Sequence, residues 1–217
     1  MSKGERTRQM ILERVAPLFN CQGYFGASLS DIMQQTGLEK GGIYNHFASK
    51  EQLALEAFDY AIARVRQVTR QALSDKKHAV ERLYALISVF TAMIEDPPVA
   101  GGCPILNTAI EADDAQPALR ARARHAMDEW FVTMRRILTK GIARHEIRPD
   151  VDIEAFATLF VATLEGGIML SKLYGDPIYV RRCATYLTHY IETQLRAEQD
   201  QQTQIELSEE EIRSHQQ

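Results

Sequence analysis

The sequence predicts an all-α protein with a small three-helix head at its N-terminus and a larger helical body behind it. Three observations lead there. Apolar residues recur at spacings of three and four through most of the 217 residues, which is the period of amphipathic helices. Glycine, proline, serine and aspartate punctuate those runs where helices start and stop. Residues 28–52 compress two short helices and the start of a third into one stretch, so that the first two must cross steeply, as in a helix-turn-helix.

In the head, Ile11, Leu12, Val15, Leu18 and Phe19 predict a helix over Lys3 to Gln22, ended by Gly23, with Arg6, Arg8 and Arg14 outside its apolar stripe. A turn through Tyr24-Phe25-Gly26-Ala27 reaches Ser28. This serine caps a short helix containing Asp31, Ile32 and Met33, and its hydroxyl, donating outward, makes it a candidate phosphate contact. Gly37 ends that helix in the left-handed conformation that glycine adopts without steric cost. A second short helix starts near Lys40. Ile43 and Phe47, four apart, form its buried stripe, while Lys40, Tyr44, Asn45 and His46 supply donors on the exposed side. Gly41 and Gly42 each cost roughly 1 kcal/mol relative to alanine in a helix interior. What they offer in return is close approach: backbone N–H groups and the positive end of the helix dipole can reach a phosphate or a base edge. Ser49 and Gln52 have the spacing of a capping box, which puts Lys50 in the first turn of the next helix and within reach of a DNA backbone.

The run Leu38-Glu39-Lys40-Gly41-Gly42-Ile43-Tyr44-Asn45-His46-Phe47-Ala48-Ser49-Lys50-Glu51, preceded by Asp31-Ile32 and Gly37, closely resembles the N-terminal domain of TetR/AcrR-type bacterial transcriptional regulators. The resemblance implies an all-helical homodimer with a DNA-binding domain and a larger ligand-binding domain, usually a repressor released from its operator by a small molecule. The candidate contacts to double-stranded operator DNA are then Ser28, Lys40, Gly41, Gly42, Tyr44, Asn45, His46 and Lys50. Gly42 lies where many relatives carry a side chain able to touch a base, which shifts base reading towards Lys40, Tyr44 and DNA shape.

The chain carries −4 overall; residues 1–50 hold six bases and four acids, a net +2, and the remainder carries −6. Binding to phosphates follows the local patch, so a basic head on an acidic body suits an operator binder with modest salt dependence. The longest uncharged stretch of the most apolar region, Ala155 to Leu164, is ten residues, too short to span a bilayer. The polar start, Met1 to Arg8, does not resemble a signal peptide. No membrane partner and a cytoplasmic location are expected. Three widely spaced cysteines, Cys21, Cys103 and Cys183, point to a reducing compartment.

The expected domains are 1–50 for the head, 51–197 for a ligand-binding and dimerisation body, and 198–217 for a polar, disordered or frayed tail. The helix from Lys50 to about Leu73, with Leu53, Ala57, Phe58, Ala61, Ile62 and Val65 on one side, links head to body. Its tilt would change the separation of paired reading helices, which must match successive turns of DNA roughly 34 Å apart. The next helix, marked by Val80, Leu83, Ile87, Phe90 and Ile94, stops at Asp96-Pro97-Pro98. Pro104 then suits the first position of a helix, which places Cys103 at its N-cap. That position favours the thiolate and the flanking glycines open the loop. The segment Gly102-Cys103-Pro104 is similar to a loop carried by some TetR-type regulators, including oxidant- and electrophile-responsive ones, so Cys103 is a candidate trigger; the alternative is a small buried hydrophobe. Glu111-Ala112-Asp113-Asp114 reads as a solvated acidic run.

A long helix follows from Pro117 to His145. Met93, Trp130, Phe131 and Met134, with Cys103, Phe160 and Leu164, are candidate lining for a small hydrophobic or aromatic effector, although such a stripe is also ordinary core. Asp152 caps a helix from Ile153 to Leu173 that is apolar on nearly every side and so needs cover on two faces. One face suits the subunit interior and another a partner, with Gly166 and Gly167 permitting close approach. A final helix runs from Ile178 to about Arg196. These last two helices resemble the pair that forms the family's four-helix dimer interface, for which Phe156, Gly167, Ile168, Leu187 and Ile191 are the candidates.

The six histidines form no metal-binding pair, and the sequence has neither a phosphate-binding glycine loop nor a nucleophile elbow, so no enzyme, cofactor or metal site is expected. The rival reading from another class is an all-helical binding or scaffold protein whose helix-turn-helix is purely structural.

Overall fold

The computed structural model describes residues 2–112 and 116–198. The tail beyond Glu198, and Asp113 and Asp114 of the acidic run, lie outside the described residues. Within them the chain forms α1 (Lys3–Gln22), α2 (Leu29–Thr36), α3 (Lys40–Tyr44), α4 (Lys50–Leu73), α5 (Ala79–Glu95), α6 (Pro104–Glu111), α7 (Pro117–Ala143), α8 (Ile153–Tyr174) and α9 (Ile178–Tyr190), closed by a π-helical turn, Ile191–Leu195.

Caps set the helix starts. The side chains of Ser2, Ser28, Ser49 and Asp152 accept the backbone N–H of Glu5, Asp31, Gln52 and Ala155, each satisfying an amide that the helix leaves open, at about 1 kcal/mol apiece. Two helices end on glycines in the left-handed region, Gly37 at φ 70° and Gly175 at φ 67°.

Two apolar clusters hold the helices together. In the head, Ile11, Val15, Ile32, Ile43 and Phe47 pack with Leu53, Ala57 and Ala61 of α4. In the body, Leu83, Leu86, Met134, Leu138, Phe160 and Leu164 pack with Phe58, Ile62 and Val65 of the same α4. The link helix therefore belongs to both cores, and the head's core continues past residue 50.

Helix α8 is central to the body. It spans 22 residues with a mean hydropathy of 1.6 in its most apolar window, long and apolar enough to cross a bilayer by length and composition, which the ten-residue uncharged run understated. Its Phe156, Phe160, Leu164 and Ile168 are packed inside the protomer. At Gly167 helix α9 crosses so closely that a Cβ there would lie 3.0 Å from both Val180 Cα and Cys183 Sγ. This corrects the expected subunit contact: Phe156, Gly167, Ile168, Leu187 and Ile191 are all buried within one protomer. The apolar residues that α8 leaves outside are Leu159 (58% exposed), Met169 (46%) and Leu173 (72%), aligned with Ala162 and with Gly166, whose missing Cβ would meet nothing within 4 Å. Moving one position along a helix rotates the side chain by about 100°, which is enough to put Gly167 against α9 and leave Gly166 outside the contact.

Most of the expected effector lining is core as well. Met93, Met134, Phe160 and Leu164 are buried, and Phe131 packs against them.

That core contains one carboxyl group. Glu165 is 8% exposed; its Oε1 accepts the Cys103 Sγ–H at 3.0 Å, while its buried Oε2 has no partner. Loss of hydration pushes its pKa up to about 7, and the hydrogen bond from Cys103 opposes this only in part. A carboxyl whose folded pKa lies above its unfolded value stabilises the fold at low pH and loses that contribution as pH rises through the folded pKa. Between about pH 5 and about pH 8 the chain should therefore lose on the order of 1–3 kcal/mol relative to Glu165→Gln. Denaturant unfolding of both proteins across that range measures it, and parallel pH profiles would contradict it.

Candidate nucleic-acid interface

Helix α3 presents the expected reading face. Ile43 and Phe47 are each 1% exposed and anchor it to the head core. Lys40, Gly41 and Asn45 are exposed, and Gly42, Tyr44 and His46 are half-buried around them. The two glycines differ. A Cβ on Gly41 would meet nothing within 4 Å, whereas one on Gly42 would lie 3.5 Å from Leu38 Cβ, in ordinary contact. Neither glycine has positive φ, so neither backbone conformation requires glycine. Gly42 faces the turn from α2, and a side chain lost there removes less from the reading surface than its place in the motif suggested. Helix α3 has five residues, so few aligned peptides add to its dipole, and a contact with DNA there would rest on side chains and close approach more than on the helix end.

Two expected phosphate contacts are already engaged. The Ser28 hydroxyl donates to Asp31 Oδ2 at 2.6 Å and accepts the Asp31 amide at 3.1 Å. It points into its own cap and not outward. The bonds that the Ser28 hydroxyl and, at 2.7 Å, its backbone N–H donate to Asp31 Oδ2 hold that carboxyl below its usual pKa. Lys50 Nζ donates to the Tyr24 carbonyl at 2.7 Å and lies 4.7 Å above the Tyr24 ring, bracing the turn between α1 and α2. Arg14 similarly donates to Thr36 O at 2.8 Å, and Arg8 lies over the Phe47 ring while pairing with Glu56. Arg8 and Arg14 of α1 thus position the reading unit.

The head is joined to the body through polar contacts that local sequence patterns did not signal. Asn20 on α1 donates to Ala100 O at 2.8 Å and Gly102 O at 3.0 Å. Asn107 on α6 donates to Asn20 Oδ1 at 2.9 Å and Asn20 O at 3.0 Å. Lys172 on α8 donates to Gly101 O and Asn107 Oδ1. Glu111, expected to be solvated, accepts the amides of Tyr24 at 2.8 Å and Phe25 at 2.7 Å. Gly101 and Gly102 have φ of 108° and 86°, and a Cβ on Gly101 would lie 2.7 Å from Asn20 O. These glycines pin the loop against α1; they do not open it.

Cys103 is at the N-cap of α6 as expected, but it is buried. Burial is the largest cause, and the neighbouring Glu165 adds to it, raising the thiol well above its usual pKa. The thiolate is therefore disfavoured, contrary to what the cap position alone implied.

The body opens a cleft of about 480 Å³ between α4 and α7. Trp130 lines it with Ile62, Val65, Leu73, Ile105 and Ala126, and Arg66, Arg70 and Arg136 are at its margins. Of the expected effector residues, Trp130 alone lines this cleft. Arg66 pairs with Glu129 across it at 2.5 Å, and Arg122 pairs with Asp59 beside it, tying the link helix to α7.

Comparison with known proteins agrees with this geometry. Residues 11–57 match the family described as bacterial regulatory proteins, tetR family, and residues 79–187 match the tetracyclin repressor-like C-terminal domain. The crystal structure of a TetR transcriptional regulator from Chloroflexus aurantiacus J-10-FL superposes with a TM-score of 0.88 at 50% identity, covering 91% of this chain and 100% of that one. The HTH-type transcriptional regulator LmrA of Bacillus subtilis (strain 168) is 30% identical over 173 residues, 79% of this chain and 88% of the relative. The HTH-type transcriptional repressor DhaR of Mycobacterium sp. (strain GP1) is 25% identical over 166 residues, 76% of this chain and 82% of its own. Matched in both its head and its body, and sharing half its residues with a solved TetR regulator, the chain belongs to the TetR family and is a helix-turn-helix DNA-binding transcriptional regulator.

Proposed function

We propose that the chain acts in the cytoplasm as a homodimeric repressor that leaves its operator when a small hydrophobic or aromatic effector enters the body. The observation that carries the DNA-reading half is Gly41: it is exposed, no neighbour crowds it, and its backbone does not require glycine, so the fold gives no reason for a poor helix former there. Close approach to the duplex does, with Lys40 and Asn45 beside it as donors to bases or phosphates. The relative named a repressor, DhaR, supports the direction of control.

The cleft beside Trp130 is the proposed effector site. Its apolar wall is shared with α4, so a ligand there bears on the helix that also contributes Leu53, Ala57 and Ala61 to the head core. Displacing α4 by a small angle would alter the separation of the paired reading helices. For the partner subunit the exposed line Leu159, Ala162, Gly166, Met169 and Leu173 on α8 is proposed, with a second helix meeting it at Gly166, where small residues allow close packing.

Three outcomes follow. Gly41→Ala should raise stability by roughly 0.5–1 kcal/mol through helix propensity while weakening binding to the operator, mapped by footprinting upstream of the coding region; undiminished binding would remove the close-approach role. Gly166→Arg should convert the dimer to a monomer in sedimentation experiments, and a persisting dimer would exclude this face. A ligand that releases the operator should quench Trp130 fluorescence, the chain having one tryptophan; release with unchanged emission would place the effector elsewhere.

A further inference from the structure

A second cleft, of about 520 Å³, opens where the link after α4, the start of α5 and the end of α7 converge. Its wall gathers Lys76, Lys77, Arg82, Arg136, Lys140 and Arg144, against one carboxylate, Glu146. That carboxylate accepts the Ala79 amide at 2.8 Å and lies 3.9 Å from Arg144, and Lys76 pairs with the neighbouring Asp75 at 3.1 Å. Two of the cations are held in place by backbone oxygens: Arg82 donates to Leu73 O at 3.2 Å and Lys76 O at 3.0 Å, and Arg144 donates to Lys77 O at 3.2 Å. Among the described residues, Lys77, Arg136 and Lys140 have no carboxylate partner.

Three other arginines of the same helices are matched with acids, Arg66 with Glu129, Arg122 with Asp59 and Arg135 with Glu154. Like charges closer than a Debye length, about 8 Å at physiological salt, repel one another. Residues 51–197 carry a net −1, so a concavity that gathers this many cations is a local positive focus suited to an anion, and its volume is within the range of small-molecule pockets. It is not an extension of the DNA face. The 24 residues of α4 separate the reading end from the cleft by about 36 Å at 1.5 Å per residue.

We propose that this cleft binds a small soluble anion carrying two or more phosphoryl groups. A single carboxylate or monoanion would leave most of the cations unmatched, whereas linked phosphoryl groups present several strong acceptors to side chains arriving from three directions. Because Arg82 also holds the carbonyl of Leu73, the last residue of α4, the occupant would sit against the end of the link helix. The site adjoins the cleft beside Trp130, sharing Thr133 and Arg136 with it, but Lys77 and Lys140 line this cleft alone, and the proposal does not rest on the effector reading.

Calorimetric titration of the full chain with inorganic tripolyphosphate at constant ionic strength tests it. The expected result is saturable binding at one site per subunit, weakened at least about tenfold in a Lys77→Ala/Lys140→Ala double variant, since each charged hydrogen bond lost is worth about that factor, and unchanged in Lys40→Ala. Both lysines are exposed, and an unaltered thermal transition confirms that the variant is folded. Absence of saturable binding, equal affinity in the double variant, or loss in Lys40→Ala would overturn the proposal. So would displacement of the probe by duplex DNA lacking the operator, which would make the cleft a nucleic-acid surface, or by phosphatidylglycerol vesicles, which would make it a membrane contact.

Discussion

The polar joint between α1 and α6 is the constraint on which the rest of the molecule depends. Asn20, Asn107 and Glu111 bring together segments 80 or more residues apart in sequence, and the bonds at Asn20 and at the Tyr24 amide are buried or partly buried. A buried donor or acceptor left without a partner costs about 1–3 kcal/mol, so the joint resists partial sliding: the helices either keep this register or break several bonds together. Gly101 and Gly102 fit the same requirement, because only glycine holds their conformations while the loop presses on Asn20.

The joint works in parallel with α4. One helix contributes to two cores, and a polar strap ties the turn before the reading unit to the body beside it. The head is therefore held on its linker from two sides, and α4 and Glu111 offer an apolar and a polar route by which a change in the body would reach α3. The reading face itself is simple. Two buried side chains hold it, the basic residues of α1 and the start of α4 brace it, and the groups left outward are small or hydrogen-bonding. The ion pairs between α4 and α7 belong to the same mechanical system, since the proposed effector cleft lies between the helices they tie.

Much of the helix pattern could be read from the residues in order. Local signals set α4 at Lys50–Leu73 and the start of α8 after Asp152, because caps and apolar periods act within a few residues. Ile43 and Phe47 were legible as anchors for the same reason. The reading failed where an outcome depended on a distant partner. The choice between Gly166 and Gly167 depends on where α9 crosses, and that contact is made between segments no local period relates. Cys103 has the helix position that favours a thiolate, but burial beside Glu165, 62 residues away, outweighs it. Glu111 looked like one member of an acidic run, yet its partners are two amides in the head. Ser28 is the exception, since the partner that takes its hydroxyl, Asp31, is only three residues away.

The most direct test of the coupling is a distance measurement in solution. Cys21 is exposed on the head and accepts a spin label in a Cys183→Ser background, so pulsed dipolar spectroscopy on the proposed dimer reports how far apart the two heads lie. The parent protein should give a narrow distribution, and Glu111→Ala, which frees the amides of Tyr24 and Phe25 while leaving the reading residues intact, should broaden or shift it. A distribution unchanged by that substitution would show that the body does not set the head through this joint.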